Sequence, residues 1–426
     1  MIGRFGTIDL SDAGRTSRYA LSGETHRGDA TASSHLSAYI LDYRLSLFSD
    51  FTYFLDDPVN GDQFEQIDRR VVSGLEARHD WRAAPAGLTV ESAVGIQVRA
   101  DRIHNGLFST KDRVELATTR EDRIFELTGG PFAETLIHWN DRVRTGLGLR
   151  VDTYHADVRS DLDANSGSRN AAILSPKFSL VLGPWKETEY YVNVGYGFHS
   201  NDARGATIRV DPKSGAPVEQ VTPLVRAIGA DVGFRTSALA NLQTSLSLFD
   251  LDLDSELLFS GDGGTTEASR PSRRAGVEWA NFYRPLKWLA IDLDVAFTRA
   301  RFTDADPVGD RIPGAIGRAI SAGVTLRSPR HWSGSLRLRD FGPRPLIEDG
   351  SVNSRSTDLL NARVDYLFQE GFSLAVDVFN LLDRQASDID YFYASRLPGE
   401  PLGGVDDIHF HPVESRSMRL SADWKF

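Results

Sequence analysis

The residues best suited to chemistry lie near the carboxyl end. Asp406-Asp407-Ile408-His409-Phe410-His411-Pro412 puts two histidines on one face of an extended segment, with carboxylates two to five residues away. That donor set suits Zn, Cu or Fe. It equally suits polar loop residues hydrogen-bonded to their neighbours. Shortly before it, Tyr391-Phe392-Tyr393-Ala394-Ser395-Arg396 gathers aromatics beside an arginine. Such a cluster fits a bulky, partly anionic small molecule, or simple loop packing. Tyr391, Phe392, Tyr393, Arg396, His409 and His411 are therefore the candidate ligand-binding residues.

Other clusters have plainer readings. Gly261-Asp262-Gly263-Gly264 occurs once, whereas calcium-binding repeats come in tandem, so it reads as a turn. Asp304-Ala305-Asp306-Pro307-Val308-Gly309-Asp310 has no following Glu and reads as a solvated acidic loop. The sequence contains no nucleophile elbow, phosphate-cradling loop or metalloprotease helix. Without cysteine it has no disulfide, thiolate site or thiol nucleophile. No catalytic residue, metal site or cofactor is assigned.

The chain has 426 residues, 41% of them hydrophobic and 25% charged. Its net charge of −11 argues against a nucleic-acid partner, which calls for a basic footprint. Six lysines stand against 42 arginines. Arginine holds carboxylates well in confined space, as on a charged wall facing a narrow interior; genome codon bias is the other explanation. No apolar run approaches the ~18 residues of a spanning helix.

Hydrophobic periodicity is almost everywhere two. Leu289, Ile291, Leu293, Val295 and Phe297 alternate with Ala290, Asp292, Asp294 and Ala296; Val364, Tyr366, Leu374, Val376, Leu420 and Trp424 belong to similar runs. One face is apolar and the other holds charge, amide and glycine, so Arg363 with Asp365, or Asp292 with Asp294, reads as hydrated wall and not as an acid–base pair. About seventeen strands are expected, near 16–25, 33–48, 69–82, 87–101, 126–139, 142–158, 172–183, 187–200, 224–238, 241–258, 270–284, 288–303, 315–328, 331–344, 356–369, 372–384 and 414–426, with a partial eighteenth at 2–10. At Leu248-Phe249 the phase slips, as a bulge or the emergence of the strand above a bilayer would cause; the acidic run from Asp250 favours emergence.

Tight turns at Asn140-Asp141, Gly183-Pro184-Trp185, Pro285-Leu286-Lys287, Ser328-Pro329-Arg330 and Gln369-Glu370-Gly371 alternate with long polar loops at 49–68, 102–125, 159–171, 201–223, 259–269, 304–314, 345–355 and 385–413. Short turns, long loops, an apolar outside and a polar inside describe an all-β, antiparallel transmembrane β-barrel. An alternating last strand ending on aromatic Phe426 agrees. If that strand descends, loop 385–413 is extracellular.

Several segments resemble the barrel of TonB-dependent outer-membrane receptors. Gly148-Leu149-Arg150-Val151-Asp152 is similar to the family's Gly-x-Arg-x-Asp strand. Gly195-Tyr196-Gly197-Phe198 through Asp202, and Val378-Phe379-Asn380-Leu381-Leu382-Asp383, resemble two more of its strand-and-loop motifs. The resemblance implies a bacterial outer-membrane location, 22 strands in the whole barrel, contact with lipid, and a small-molecule ligand such as a siderophore or other metal chelate. It also implies a TonB partner reached through a plug and TonB box, and barrel-assembly machinery recognising Phe426. Residues 1–426 are then expected to be an N-terminally truncated barrel domain, about 17–18 strands of 22, with no signal peptide or plug. A passive porin or structural barrel is the alternative, and a secreted soluble β-rich protein a third reading; none of the three is an enzyme.

Overall fold

The computed structural model describes residues 4–260, 265–328, 331–369 and 371–424. Its strands are β1 (Ala13–Gly28), β2 (Ala32–Ser49), β3 (Phe64–Ala83), β4 (Thr89–Lys111), β5 (Val114–Asn140), β6 (Val143–Ser160), β7 (Gly167–Trp185), β8 (Thr188–Ser200), β9 (Leu224–Thr236), β10 (Leu242–Leu253), β11 (Leu257–Ser260), β12 (Thr265–Ala268), β13 (Ser272–Leu286), β14 (Leu289–Phe302), β15 (Arg318–Arg327), β16 (Trp332–Phe341), β17 (Thr357–Gln369), β18 (Phe372–Phe379), β19 (Ser387–Ser395), β20 (Val405–Pro412) and β21 (Ser417–Trp424). Seventeen of them form one antiparallel sheet, each pairing with its chain neighbour. The ladder passes from β10 to β13 across the hairpin β11–β12, and from β18 to β21 across the hairpin β19–β20.

Those seventeen are the strands expected from the alternation. The partial eighteenth is not formed over residues 4–12, which are turns. There Asp9 Oδ1 accepts from the backbone N–H of Ser11, a side-chain turn that competes with extended pairing. Among the described residues β1 has a ladder only with β2, and β21 only with β18, so no ladder closes the sheet. This is the incomplete barrel expected.

Register carries one apolar face from strand to strand. Leu149, Leu174, Val192, Val232, Val324, Val364 and Leu420 are all exposed on it, as only a lipid-facing surface allows at this scale. The other face carries Arg-x-Asp pairs, whose two side chains share a face because strand side chains alternate. Arg150 Nε lies 2.9 Å from Asp152 Oδ1, and Arg99 and Arg363 hold Asp101 and Asp365 in the same way. On this inner face aromatic rings also lie across glycines of the next strand. Tyr39 covers Gly74 and Phe249 covers Gly276, where an added Cβ would meet the ring.

Six of the seven tryptophans mark the membrane boundary. Trp81, Trp139, Trp185, Trp288, Trp332 and Trp424 lie at or beside the short-turn ends of their strands, all exposed, as an interfacial girdle requires. Nine residues up β14, the outer face changes from Phe297 to Arg299. On β10 it changes at Asp250, which accepts from Arg273 Nε at 2.9 Å. The β10 ladder shows no register shift at Leu248-Phe249, so the phase slip there is emergence and not a bulge.

Two connections differ from expectation. Residues 102–125 are mostly strand, because β4 and β5 continue to a reversal at Asp112-Arg113. Above the bilayer the outer face, with Arg102 and Arg123, meets water while Ile103, Arg120, Asp122 and Ile124 on the inner face are buried, so a strand there needs no apolar outer face. Gly183-Pro184-Trp185 lies within β7, and the chain reverses at Lys186-Glu187, both with positive φ. Gly261-Asp262-Gly263-Gly264 and Phe426 lie outside the described residues.

Candidate functional site

The long-loop end of the sheet holds the predicted residues. In the hairpin β19–β20 Tyr391 pairs with His409, Tyr393 with Asp407 and Ile389 with His411. Tyr391, Tyr393, His409 and His411 therefore share one face and Phe392 takes the other. Tyr393 and His409 stack, with centroids 3.9 Å apart and planes 6° from parallel. Tyr391 stands exposed beside them. Burial pushes the His409 imidazole below its ordinary pKa. Its buried Nε2 has no hydrogen-bond partner among the described residues. His411 Nδ1 instead lies 2.8 Å from Asp388 Oδ1, in water.

Arg396 has a different environment. Its Nη1 donates to the Phe54 carbonyl at 3.0 Å, and its backbone exchanges hydrogen bonds with Thr52 and Phe54. On the far side Arg344 pairs with Asp390 at 2.7 Å and donates to the Asp388 carbonyl at 2.9 Å. The hairpin is thus tied to residues before β17 on one side and to the loop after β2 on the other. It bridges the seam between the two sheet edges at the long-loop end.

The loop that receives Arg396 is organised by carboxylates. Asp62 accepts from the backbone N–H groups of Leu55 and Asp57, and Asp50 from that of Tyr53. Burial, with Asp62, Asp9 and Asp12 nearby, pushes Asp50 up to about 7. Burial, with Asp9 nearby, pushes Asp12 up to about 6. Raised carboxyl values favour the folded contact while the groups are protonated. The contribution is complete below the ordinary value of 3.8 and is lost as pH rises through about 6 to 7. Hydrogen-exchange protection of residues 50–62, corrected for intrinsic rate, should therefore fall as pH rises across that window. Asp50→Asn should flatten the fall; a wild-type pH profile in that variant would contradict the assignment.

Periodicity did not reveal a second feature of this end. After β8 the chain turns onto the inner face, where the short helix α1 (Ala203–Thr207) begins with Asp202 accepting from the Arg204 N–H. Ala203 packs with Ile103, Ile124, Tyr154 and Ile173 of the inner wall. Asn165, fully buried, receives the N–H groups of Arg209 and Val210. Beneath the helix lies a buried pair, Arg120 and Asp122. A segment without regular period leaves no signal of where it folds.

The Asn380 motif is structural. Asn380 adopts a positive φ, and its side chain bonds Arg384 and the Glu414 carbonyl, fixing the chain as it leaves β18 and returns toward β21. A cavity of about 1090 Å³ runs along the wall from the turn at Asp29–Thr31 to Asp231 and Phe249, walled in part by Arg78, Glu134 and Lys177, which form a chain of ion pairs.

A family model described as TonB dependent receptor-like, beta-barrel, matches residues 3–381. The ferric yersiniabactin uptake receptor FyuA of Yersinia pestis superposes with a TM-score of 0.77 at 14% identity, covering 100% of this chain and 64% of its own. The ferric citrate transporter FecA gives 0.76 at 15%, covering 99% and 63%. The copper transporter OprC gives 0.75 at 15%, covering 98% and 66%. The chain thus spans less than two thirds of these structures. No curated protein sequence matches it.

Proposed function

Because the chain belongs to the TonB-dependent receptor-like β-barrel family, we propose that residues 1–426 form the barrel wall of an importer for a scarce metal chelate, energised through TonB. The family consists of outer-membrane receptors and not of enzymes. In this reading contact with TonB is made through a plug and TonB box. A ferric chelate is the leading cargo class, in keeping with the ferric yersiniabactin and ferric citrate proteins that share the fold.

The observation that supports this reading is the aromatic and imidazole face of the hairpin β19–β20. It presents exposed Tyr391 and stacked Tyr393 and His409 at the long-loop end. Flat rings of this kind bind the aromatic and conjugated parts of a chelate. Arg396 serves the site by holding the hairpin in place.

The test is binding of a panel of ferric chelates by the protein in intact cells. The Tyr391→Ala/Tyr393→Ala variant should bind the recognised chelate about tenfold more weakly at equal surface expression. Uptake, unlike binding, should vanish in cells lacking TonB. Unchanged affinity would reduce the hairpin to packing, and TonB-independent uptake would identify a passive pore.

A further inference from the structure

We propose that Glu24, His26 and His35 form a binding site for a divalent first-row transition-metal ion, with Zn²⁺ the simplest case, on the inner wall at the short-turn end of β1 and β2. Glu24 and His26 are two residues apart on β1 and so share a face. The turn at Asp29–Thr31 sets a register that places His35 directly opposite His26. One ligand atom from each of the three lies within 4.8 Å of the others. It is the one such trio among the described residues.

The donor set selects the class of ion. Two imidazoles and a carboxylate suit Zn²⁺, Cu²⁺ or Ni²⁺, whereas Ca²⁺ and Mg²⁺ take oxygen ligands. His26 Nε2 and His35 Nδ1 are 2.8 Å apart. Tetrahedral zinc with bonds of about 2.0–2.1 Å spaces two nitrogens about 3.3 Å apart. The rings need to open by only about half an ångström, and both are accessible enough to rotate. A fourth position is left for water or an exogenous ligand.

The competing account is a hydrogen bond between two neutral imidazoles. It gives Glu24 no role, and the Glu24 carboxylate has neither a hydrogen bond nor an ion pair among the described residues. Nor does the surrounding charge repel a cation. Arg78, paired with His35 across the β2–β3 ladder, has its guanidinium engaged by Asp80 and Glu134 at 2.8 Å each. The site is separate from the hairpin β19–β20, at the other end of the wall.

The experiment titrates the chelator-stripped, detergent-solubilised protein with Zn²⁺ against a chromophoric competitor. One-to-one binding is expected, weakened at least about tenfold in His26→Asn, His35→Asn and Glu24→Gln. His155→Asn, a change on the outer face, should leave it unchanged. Heat-modifiable gel migration reports that each variant retains its barrel. Co²⁺ bound to the unaltered protein should show the intense visible absorption of a low-coordinate nitrogen and oxygen site, a readout independent of any variant's folding. Absence of one-to-one binding, wild-type Zn²⁺ affinity in the His26→Asn/His35→Asn double variant, or a Co²⁺ spectrum like that of the aquated ion would overturn the proposal.

Discussion

Leu293→Arg should destabilise the protein in lipid by about 2–4 kcal/mol, while Asp292→Arg, one residue away, should cost less than about 1. Leu293 is the middle of the outer run Leu289, Ile291, Leu293, Val295 and Phe297, with Trp288 below and Arg299 above. It therefore lies near the bilayer midplane, where a guanidinium has neither water nor a partner. Asp292 points inward and pairs with Arg337 at 3.0 Å, with the arginine side chain 55% exposed. Its replacement loses one solvated ion pair and sets two arginines together in water. Leu289→Arg, beside the girdle, should fall between, because the penalty declines toward the interface. The measurement is reversible denaturation of protein refolded into vesicles. Equal penalties at 292 and 293 would remove the assignment of the two faces.

Asp122→Ala should cost about 3–5 kcal/mol, measured the same way. Asp122 and Arg120 are each about 1% exposed, two residues apart on the inner face of β5 beneath α1. Both Nη atoms of Arg120 and Oδ1 of Asp122 have no other partner among the described residues. Removing the carboxylate leaves a buried guanidinium with a longer-range attraction from Asp202. That residual attraction places the expected cost toward the lower end of the range. Asp157→Ala, which breaks an exposed 3.6 Å pair with Arg159, is the comparison and should cost no more than about 1 kcal/mol. Replacing Arg120 and Asp122 together with Leu should recover most of the loss, because the penalty comes from the unpaired charge and not from the missing pair. If Asp122→Ala were as mild as Asp157→Ala, the helix would not be sealing this pair from water.

The wall was legible in the chain because lipid imposes a rule on every strand within it. Alternation from Leu289 to Phe297, or from Leu360 to Phe368, follows from apolar residues outside and polar ones inside, and needs no knowledge of neighbours. The Arg150–Asp152 pairing is likewise local, two residues along one strand. The register that puts His26 opposite His35 is a different case: the expected first strand stops at residue 25, and only the folded positions bring Glu24, His26 and His35 together. Tertiary structure decided everything beyond the reach of that rule. Above the membrane the outer face of β4 and β5 meets water and the inner face is covered, so residues 102–125 form strands without the apolar-outside, polar-inside signal. The segment after β8 carries no period, and its place on the inner wall comes from contacts such as Asn165 with Val210. Arg396 has the composition of a ligand contact, yet it meets Phe54, 342 residues away, because the curved sheet brings the two ends of the chain together. Local sequence specifies which face of a strand meets lipid; which loop meets which depends on the curvature and register of seventeen strands taken together.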